Sequence, residues 1–237
     1  MEEDIYRPEY VMRLFDGMSA SYERMNYITS FGFSIRWRNQ FLGSFKPTDR
    51  PVEVIDLLTG MGETWSATNA RFPNANFSAL DFSEGMLKYA KRKSQDRYQG
   101  RVKVLKQDVL QNDLPSERYD LVTCAFGLKT FDPAQLQVLA MEVKRILKPG
   151  GEFAFIEVSK PEGRILSMCY GFYLGRVIPL LGRLFLGDPD EYRMLWRYTN
   201  RFGNAKQAAE IFETAGLSTR FISYFSGCAT GFSGRKR

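Results

Sequence analysis

The stretch Asp56–Trp65, DLLTGMGETW, decides the fold of this 237-residue chain. It continues the short apolar run PVEVI, which has the pattern of a buried strand. Two glycines interrupt the stretch, and no helix breaker follows before Pro73, so it predicts a strand, a glycine turn and a helix. Ligands of open α/β sheets bind at such strand ends. We therefore expect a binding site at this turn.

Strand and helix patterns alternate along the chain after this turn. Strand character is found in NFSALDFS, RVKVLKQDV, YDLVTCAFG and EFAFIEVSK, with helical patterns between them. Two further short strands, LSTRFISYF and TGFSGRK, close the sequence, and we expect them to add an antiparallel edge. This alternation predicts an α/β protein with a Rossmann-like, doubly wound sheet of seven mostly parallel strands.

The whole chain is predicted to be a single domain with four parts. The first part is a cap, because apolar and aromatic residues recur at helical spacing before the first strand. The third is a helical insertion or lid, in which arginines are interspersed among leucines and aromatic residues. That composition suits a membrane surface, the roof of an apolar tunnel, core packing or a dimer interface. The predicted parts are the helical cap 1–50, the cofactor-binding core 51–160, the insertion 161–203 and the C-terminal helix with edge strands 204–237.

Charge and composition restrict the partners that we expect. The net charge is +6, but the basic residues are scattered, which favours an anionic membrane face over nucleic acid. The acidic N-terminus lacks a signal-peptide core, and no long apolar run follows, so we expect a cytoplasmic protein with peripheral contact at the inner membrane face. The chain contains no histidine, and its three cysteines are far apart, so we expect no metal site.

The residues just after each strand form a set that suits a nucleoside. Gly60 and Gly62 allow backbone N–H groups to approach a ligand at a helix start. Asp81, at the end of the second strand, is placed to accept hydrogen bonds from both hydroxyls of a ribose. Asp108 and Val109 suit the amine and the edge of an adenine. The sequence therefore predicts an adenosine site.

Two missing motifs limit the size of that ligand. The turn lacks GxGxxG, which argues against a nicotinamide or flavin dinucleotide, and it lacks GxxxxGK[ST], which argues against a nucleoside triphosphate. A smaller adenosine ligand fits better. Phe82 and Ala125 follow or end neighbouring strands, and we expect them to line the same site.

Several blocks of the chain resemble class I S-adenosylmethionine (SAM) dependent methyltransferases. They resemble most closely the ubiquinone/menaquinone biosynthesis C-methyltransferase family, through the AFGL and KPGG…E.SKP blocks together with the long insertion. The similar blocks include VMRLFDGMSASYERMNYITSFGFSIRWR, LDFSEGMLKYAKRK, RYDLVTCAFGLKTF, VKRILKPGGEFAFIEVSKP and LGRVIPLLGRLFLGDPDEYRML.

The resemblance implies SAM as cofactor and C-methylation of a hydroxylated, prenylated aromatic ring. The cofactor positions that it implies are Asp56, Gly60, Gly62, Asp81, Asp108 and Val109. The acceptor positions that it implies are Tyr22, Asn26 and Tyr192, with Phe126 and Thr130 from AFGLKT beside them.

The chain departs from the family pattern at both sites. In the turn, Leu58-Thr59 stand for Ala-Cys, Met61 for Thr and Glu63 for Asp; Glu63 keeps a charge that attracts the ammonium group of SAM. On the acceptor side, Lys129 replaces an Arg, and lysine cannot make the same planar, two-pronged contact.

These departures leave two kinds of alternative function open. One is an enzyme of specialised metabolism that uses SAM on a non-quinone small molecule, for O- or N-methylation or for another SAM-dependent rearrangement. The other is a non-catalytic SAM-binding scaffold. If the family reaction holds, we expect Lys129 to be catalytic, either by stabilising a phenolate or by orienting a water that removes the proton. The alternative is that Lys129 extends into solvent.

Overall fold

The computed structural model describes residues 4–19, 27, 29–180 and 189–237, without the side chains of 189–193. Its strands are β1 (Glu53–Leu57), β2 (Asn76–Asp81), β3 (Val102–Lys106), β4 (Tyr119–Ala125), β5 (Leu147–Val158), β6 (Leu217–Tyr224) and β7 (Ala229–Lys236). They form one sheet in the order β3-β2-β1-β4-β5-β7-β6. Only the pairings of β7 are antiparallel, so the predicted seven-stranded, mostly parallel Rossmann-like sheet is confirmed.

The described helices are α1 (Pro8–Met18), α2 (Phe33–Leu42), α3 (Trp65–Arg71), α4 (Glu84–Tyr98), α5 (Pro133–Ile146), α6 (Arg164–Phe172), α7 (Pro189–Phe202) and α8 (Lys206–Thr214). A turn of π-helix, Tyr173–Val177, continues α6, and a 3₁₀ turn, Leu128–Thr130, follows β4. Helix α5 starts where it does because Asp132 and Gln135 form a capping box ahead of the apolar run.

Apolar side chains cover both faces of the sheet. On one face, α5 and α8 contribute Leu139, Val143 and Phe212 to a core that includes strand residues such as Phe153. The other face is covered by the helices α2, α3 and α4, with Phe41, Trp65 and Leu87 buried against it. Helices on both faces leave the carboxyl ends of the parallel strands as the place where the sheet remains open.

The antiparallel strand does not lie where the sequence pattern suggested. Strand β7 lies inside the sheet, between β5 and β6, and the parallel strand β6 forms the edge. Small residues allow this position: a Cβ on Gly231 would lie 2.1 Å from the Phe155 carbonyl oxygen, and one on Gly234 would lie 1.7 Å from that of Ser218. Strand β7 is therefore held tightly between two neighbours, and the expected antiparallel edge is corrected to an antiparallel interior strand.

The N-terminal helix α1 is tied to the start of α4. The Asp16 carboxylate accepts hydrogen bonds from Ser83 Oγ at 2.6 Å and from Gly85 N at 2.8 Å. The cap thus closes over the strand ends. Tyr22 and Asn26 lie outside the described residues, and so does the side chain of Tyr192. Within the part of the chain that the structure covers, no helix is long and apolar enough to cross a bilayer.

Candidate functional site

A buried polar network shapes the turn that follows β1. Thr59 Oγ1 and Thr123 Oγ1 each donate a 2.7 Å hydrogen bond to the Asp56 carboxylate, which is 1% exposed. The indole N–H of Trp65 donates to Thr59 Oγ1 at 2.8 Å. Asp56 therefore lies behind the turn and holds its shape, and burial raises the pKa of its carboxyl from 3.8 to about 6.

Asp81 links the ends of β1 and β2. Its Oδ2 accepts a 2.8 Å hydrogen bond from Gly60 N, and its Oδ1 accepts a 3.0 Å bond from Ser83 N. Burial raises the pKa of the Asp81 carboxyl to about 6, although these backbone hydrogen bonds act in the opposite direction. A carboxylate has about four acceptor sites, so Asp81 keeps lone pairs that can accept hydrogen bonds from a ligand.

Asp81 opens into a cavity of about 710 Å³, which we call the strand-end cavity. Helix α1 covers the cavity through Val11 and Phe15. The predicted site residues that line it are Gly60, Asp81, Phe82, Asp108, Val109, Ala125, Phe126 and Thr130. The structure thus brings together most of the predicted cofactor residues, without Asp56, Gly62 and Glu63, and it adds Phe126 and Thr130, which were predicted to face the acceptor.

Glu63, a predicted cofactor residue, lies beside Gly60 in the glycine turn but is not among the residues that line the strand-end cavity. Its Oε2 accepts a 3.1 Å hydrogen bond from Met61 N, and a Cβ on Gly60 would lie only 3.2 Å from that oxygen. The other oxygen, Oε1, is buried without a hydrogen-bond partner among the described residues. A buried carboxylate oxygen of this kind is costly unless a ligand donates to it. Gly62 and Glu63 also line a groove between α3 and α4, which we call the α3–α4 groove.

A second cavity, of about 1,110 Å³, adjoins the first. We call it the aromatic cavity, because its lining includes Phe33, Trp37, Tyr170, Tyr173 and Phe126. Phe126 lines both cavities, has a left-handed backbone (φ +68°) and is 8% exposed. Phe126 is therefore a wall residue that the two cavities share.

Lys129 lies in the wall of the aromatic cavity and is 6% exposed, so it does not extend into solvent. Its Nζ lies 2.6 Å from Glu157 Oε1 and donates to the Phe126 carbonyl at 3.2 Å. The Lys129 backbone N–H donates to the other Glu157 oxygen at 3.1 Å. An ammonium group has three N–H donors, so one of them remains for an acceptor oxygen in the cavity.

Sequence reasoning missed two buried charged residues: Arg38, which lines this cavity, and Glu157, which lies behind its wall as the partner of Lys129. Glu157 is 0% exposed and pairs with Lys129; its signal was a single acid inside the apolar strand FAFIEVS. Arg38 is 6% exposed, and its Cζ lies 4.8 Å from the centroid of the Phe126 ring. Arg38 ends the block SFGFSIRWR, but no local pattern distinguishes it from the exposed Arg36.

Comparison with known families and curated proteins gives a consistent result. The model of the ubiE/COQ5 methyltransferase family matches residues 4–236. The chain is 32% identical to a demethylmenaquinone methyltransferase of Listeria monocytogenes, over 98% of each chain. It is 33% identical to a demethylmenaquinone methyltransferase of Lactiplantibacillus plantarum, over 95% of each chain.

Solved structures share the fold at lower sequence identity. A SAM-dependent methyltransferase of Thermotoga maritima, described as a possible histamine N-methyltransferase, matches with a TM-score of 0.66 and 17% identity, over 95% of this chain and 99% of that one. Phosphoethanolamine N-methyltransferase 2 of Haemonchus contortus, in complex with SAM, matches with a TM-score of 0.66 and 16% identity, over 97% of this chain and 58% of that one.

Proposed function

The chain belongs to the ubiE/COQ5 methyltransferase family and is a SAM-dependent methyltransferase, and from this premise we propose that it methylates a ring carbon of a hydroxylated, prenylated aromatic acceptor of the quinol type. The observation that carries the proposal is the aromatic cavity, which is lined mostly by apolar side chains and shares the wall residue Phe126 with the strand-end cavity. A prenylated ring needs such a space.

The residues around the strand-end cavity fit SAM. Asp81 has acceptor lone pairs for the two ribose hydroxyls, and Asp108 and Val109 lie at the next strand end for the adenine. The unpartnered Glu63 Oε1 fits the ammonium group of the methionine part. When bound, SAM supplies a methyl group on a sulfonium, which is electrophilic.

The protein's own contribution is positioning and exclusion of water. Holding two reactants in attack geometry lowers a barrier by roughly 7–11 kcal/mol. For a ring carbon to react as a nucleophile, an adjacent hydroxyl must give up its proton, to water in this proposal, and the hydrogen that the new methyl group replaces on the ring must also leave to water as a proton. Lys129 is proposed to donate its remaining N–H to the oxygen of that hydroxyl, while Glu157 and the Phe126 carbonyl fix the direction of the ammonium group.

The outer face of the insertion supports contact with a membrane surface, where a prenylated acceptor would reside. Ile165, Met168 and Phe172 are exposed by 77%, 70% and 63% and lie at helical spacing on α6. The exposed Arg164 and Arg176 flank them, as suits anionic headgroups. Opposite residues of the same segment line the aromatic cavity. We propose that this surface, the α6 face, rests on an anionic bilayer so that the acceptor enters from it.

The reaction is tested by transfer of labelled methyl from SAM into demethylmenaquinol, beside a panel of small phenols and amines. We expect label in the prenylated quinol, lost in Asp81→Ala and kept in Asp96→Ala, which removes an exposed carboxylate from α4. Label only in a small phenol or amine would identify a non-quinone acceptor. An unlabelled panel, with protein that binds SAM, would contradict the proposal and favour a scaffold.

A further inference from the structure

Arg38, on α2, is a buried cation that forms no ion pair within 4 Å with the residues that the structure describes. Its charge acts at longer range on the Asp56 carboxylate, where it opposes the rise in pKa that burial causes. It is 6% exposed and its Nε has no hydrogen-bond partner. The described contact of its guanidinium is the ring of Phe126, at 4.8 Å. A desolvated charge of this kind is unfavourable unless an anion binds to it.

Arg38 lines the aromatic cavity, and it also borders the α3–α4 groove. The other ionisable groups in the described lining of the aromatic cavity are Lys129, Tyr170, Tyr173 and Cys228. Lys129 is paired with Glu157, and burial raises the pKa of both tyrosines and of the cysteine, so these three stay neutral at neutral pH. Arg38 is therefore the cation of this described lining that no ion pair balances. The acids Asp56 and Glu63 lie outside this lining, Glu63 in the α3–α4 groove that Arg38 also borders.

The ring of Phe126 places that charge at the boundary of the two cavities. Phe126 lines both cavities, and the guanidinium lies against its face. An anion bound to Arg38 from the aromatic cavity therefore lies close to the strand-end cavity, where SAM is proposed to bind.

We propose that Arg38 binds the ionised ring oxygen of the acceptor, so that the acceptor is held as an oxyanion. Lys129, whose charge is balanced by Glu157, donates the hydrogen bond that orients the same oxygen. This inference rests on the proposed function and adds a specificity determinant: acceptors whose ring hydroxyl is blocked as an ether will not be bound in productive form. An oxyanion raises electron density at the adjacent ring carbon, which is the atom that must attack.

The test uses 4-nitrocatechol, whose absorbance reports ionisation, with S-adenosylhomocysteine present and no methyl transfer required. We expect the wild-type protein to lower the pKa of the bound phenol by at least about one unit. Arg38→Gln should remove this shift and weaken dye binding about tenfold, since one unit of differential stabilisation is a factor of ten. Arg38→Lys should retain part of the shift. Arg36→Gln, which removes an exposed charge from the same helix, should behave as the wild type.

Each result decides the inference separately from the proposed function. An undiminished shift in Arg38→Gln, or no binding or shift in the wild type, overturns the role of Arg38 even if methyl transfer to a quinol is found. A shift that depends on Arg38 supports the oxyanion site even if no quinol is methylated. If Arg38→Gln does not fold, the comparison of the wild type with Arg38→Lys tests the inference. A shift in the pKa of the bound phenol that is equal in both proteins would argue against recognition by the guanidinium group.

Discussion

At the scale of single residues, the Lys129–Glu157 pair combines a structural and a chemical role. The two side chains are 6% and 0% exposed and lie 2.6 Å apart. A buried ion pair contributes little net stability, but removing one partner leaves an uncompensated charge in the interior. The effect of a single substitution on activity therefore cannot be interpreted without its effect on stability.

We predict that Lys129→Met lowers the free energy of unfolding by about 3–5 kcal/mol, because Glu157 would remain charged or become protonated in a dry site. Chemical denaturation measures this. The double variant Lys129→Met/Glu157→Gln should recover much of the loss, since no charge is left unpaired. If Lys129 acts on the acceptor, the double variant will fold well and transfer no methyl; wild-type turnover from it would limit Lys129 to a structural role.

Asp81 should make stability and cofactor affinity respond to pH in opposite directions. Burial raises the pKa of the Asp81 carboxyl from its ordinary value of 3.8, which applies to the unfolded chain, to about 6 in the folded protein. Between these two pH values the folded state therefore binds more protons than the unfolded state. Lowering the pH from 7 to 5 should therefore raise the free energy of unfolding of the wild type relative to Asp81→Asn. The full effect, reached below pH 3.8, is at most about 3 kcal/mol.

We predict that affinity for S-adenosylhomocysteine falls as the pH drops through about 6, because a protonated Asp81 loses acceptor capacity for ribose hydroxyls. Calorimetric titration between about pH 5.5 and 8 measures this pH dependence. Asp96→Asn, which alters an exposed acid on α4, should leave the profile unchanged. A flat profile in the wild type would argue against ribose contact by an ionised Asp81.

At the scale of elements, the turn between β1 and α3 is held from behind. Trp65 begins α3, is 0% exposed and anchors the turn through Thr59. Gly62 packs so closely on the indole that a Cβ would lie 2.6 Å from two ring carbons, and its φ is +78°. The glycine thus meets two separate requirements, a left-handed backbone and a close approach.

We predict that Gly62→Ala costs about 2–4 kcal/mol of stability, because both requirements are violated and the buried indole has no space to move. Gly150→Ala is a matched control, since Gly150 has φ +77° and a Cβ at that position would meet no described atom within 4 Å. The control should cost only about 1 kcal/mol, from the backbone alone. Equal losses in the two variants, compared by thermal unfolding, would show that the indole contact carries no energy.

At the scale of the whole molecule, the insertion has one side that lines a cavity and another side that is exposed on the surface. Leu166, Tyr170 and Leu174 of the insertion line the aromatic cavity, while Ile165, Met168 and Phe172 face outwards. Helix α6 therefore separates the proposed acceptor cavity from the proposed bilayer surface. Among the described residues, this one helical layer lies between the two.

We predict that the protein co-sediments with vesicles containing phosphatidylglycerol. The triple variant Ile165→Ser/Met168→Ser/Phe172→Ser should lose at least about 90% of this binding, because it removes the apolar contact area. The double variant Val138→Ser/Met141→Ser is the control, since these α5 residues are 44% and 55% exposed but lie away from the insertion. Binding should also weaken at high salt, because Arg164 and Arg176 would be screened. Equal binding by the triple variant would place the contact elsewhere.

Local patterns in the sequence predict the α/β alternation, the glycine turn and the strand ends that carry Asp81 and Asp108. These features follow from local rules: apolar periodicity sets strands and helices, and the parallel connection brings carboxyl ends to one edge. The edge position of the antiparallel strand was predicted wrongly. Strand β7 lies between β5 and β6 because Gly231 and Gly234 allow both neighbours to approach closely, and this close packing is not visible in a local pattern. Lys129 was found from its place in a family block.

Only the tertiary structure decided which charges meet. Glu157 is 28 residues from Lys129 along the chain, and Arg38 comes from a helix that precedes the first strand. Glu157 pairs with Lys129, and Arg38 has no close ion pair, because of the way the helices pack against the sheet. A local sequence pattern cannot show which side chains from distant segments are buried together. The same packing buries Asp56, which was predicted to contact the cofactor, behind the turn. There its carboxylate accepts hydrogen bonds from two threonine hydroxyls and stabilises the turn.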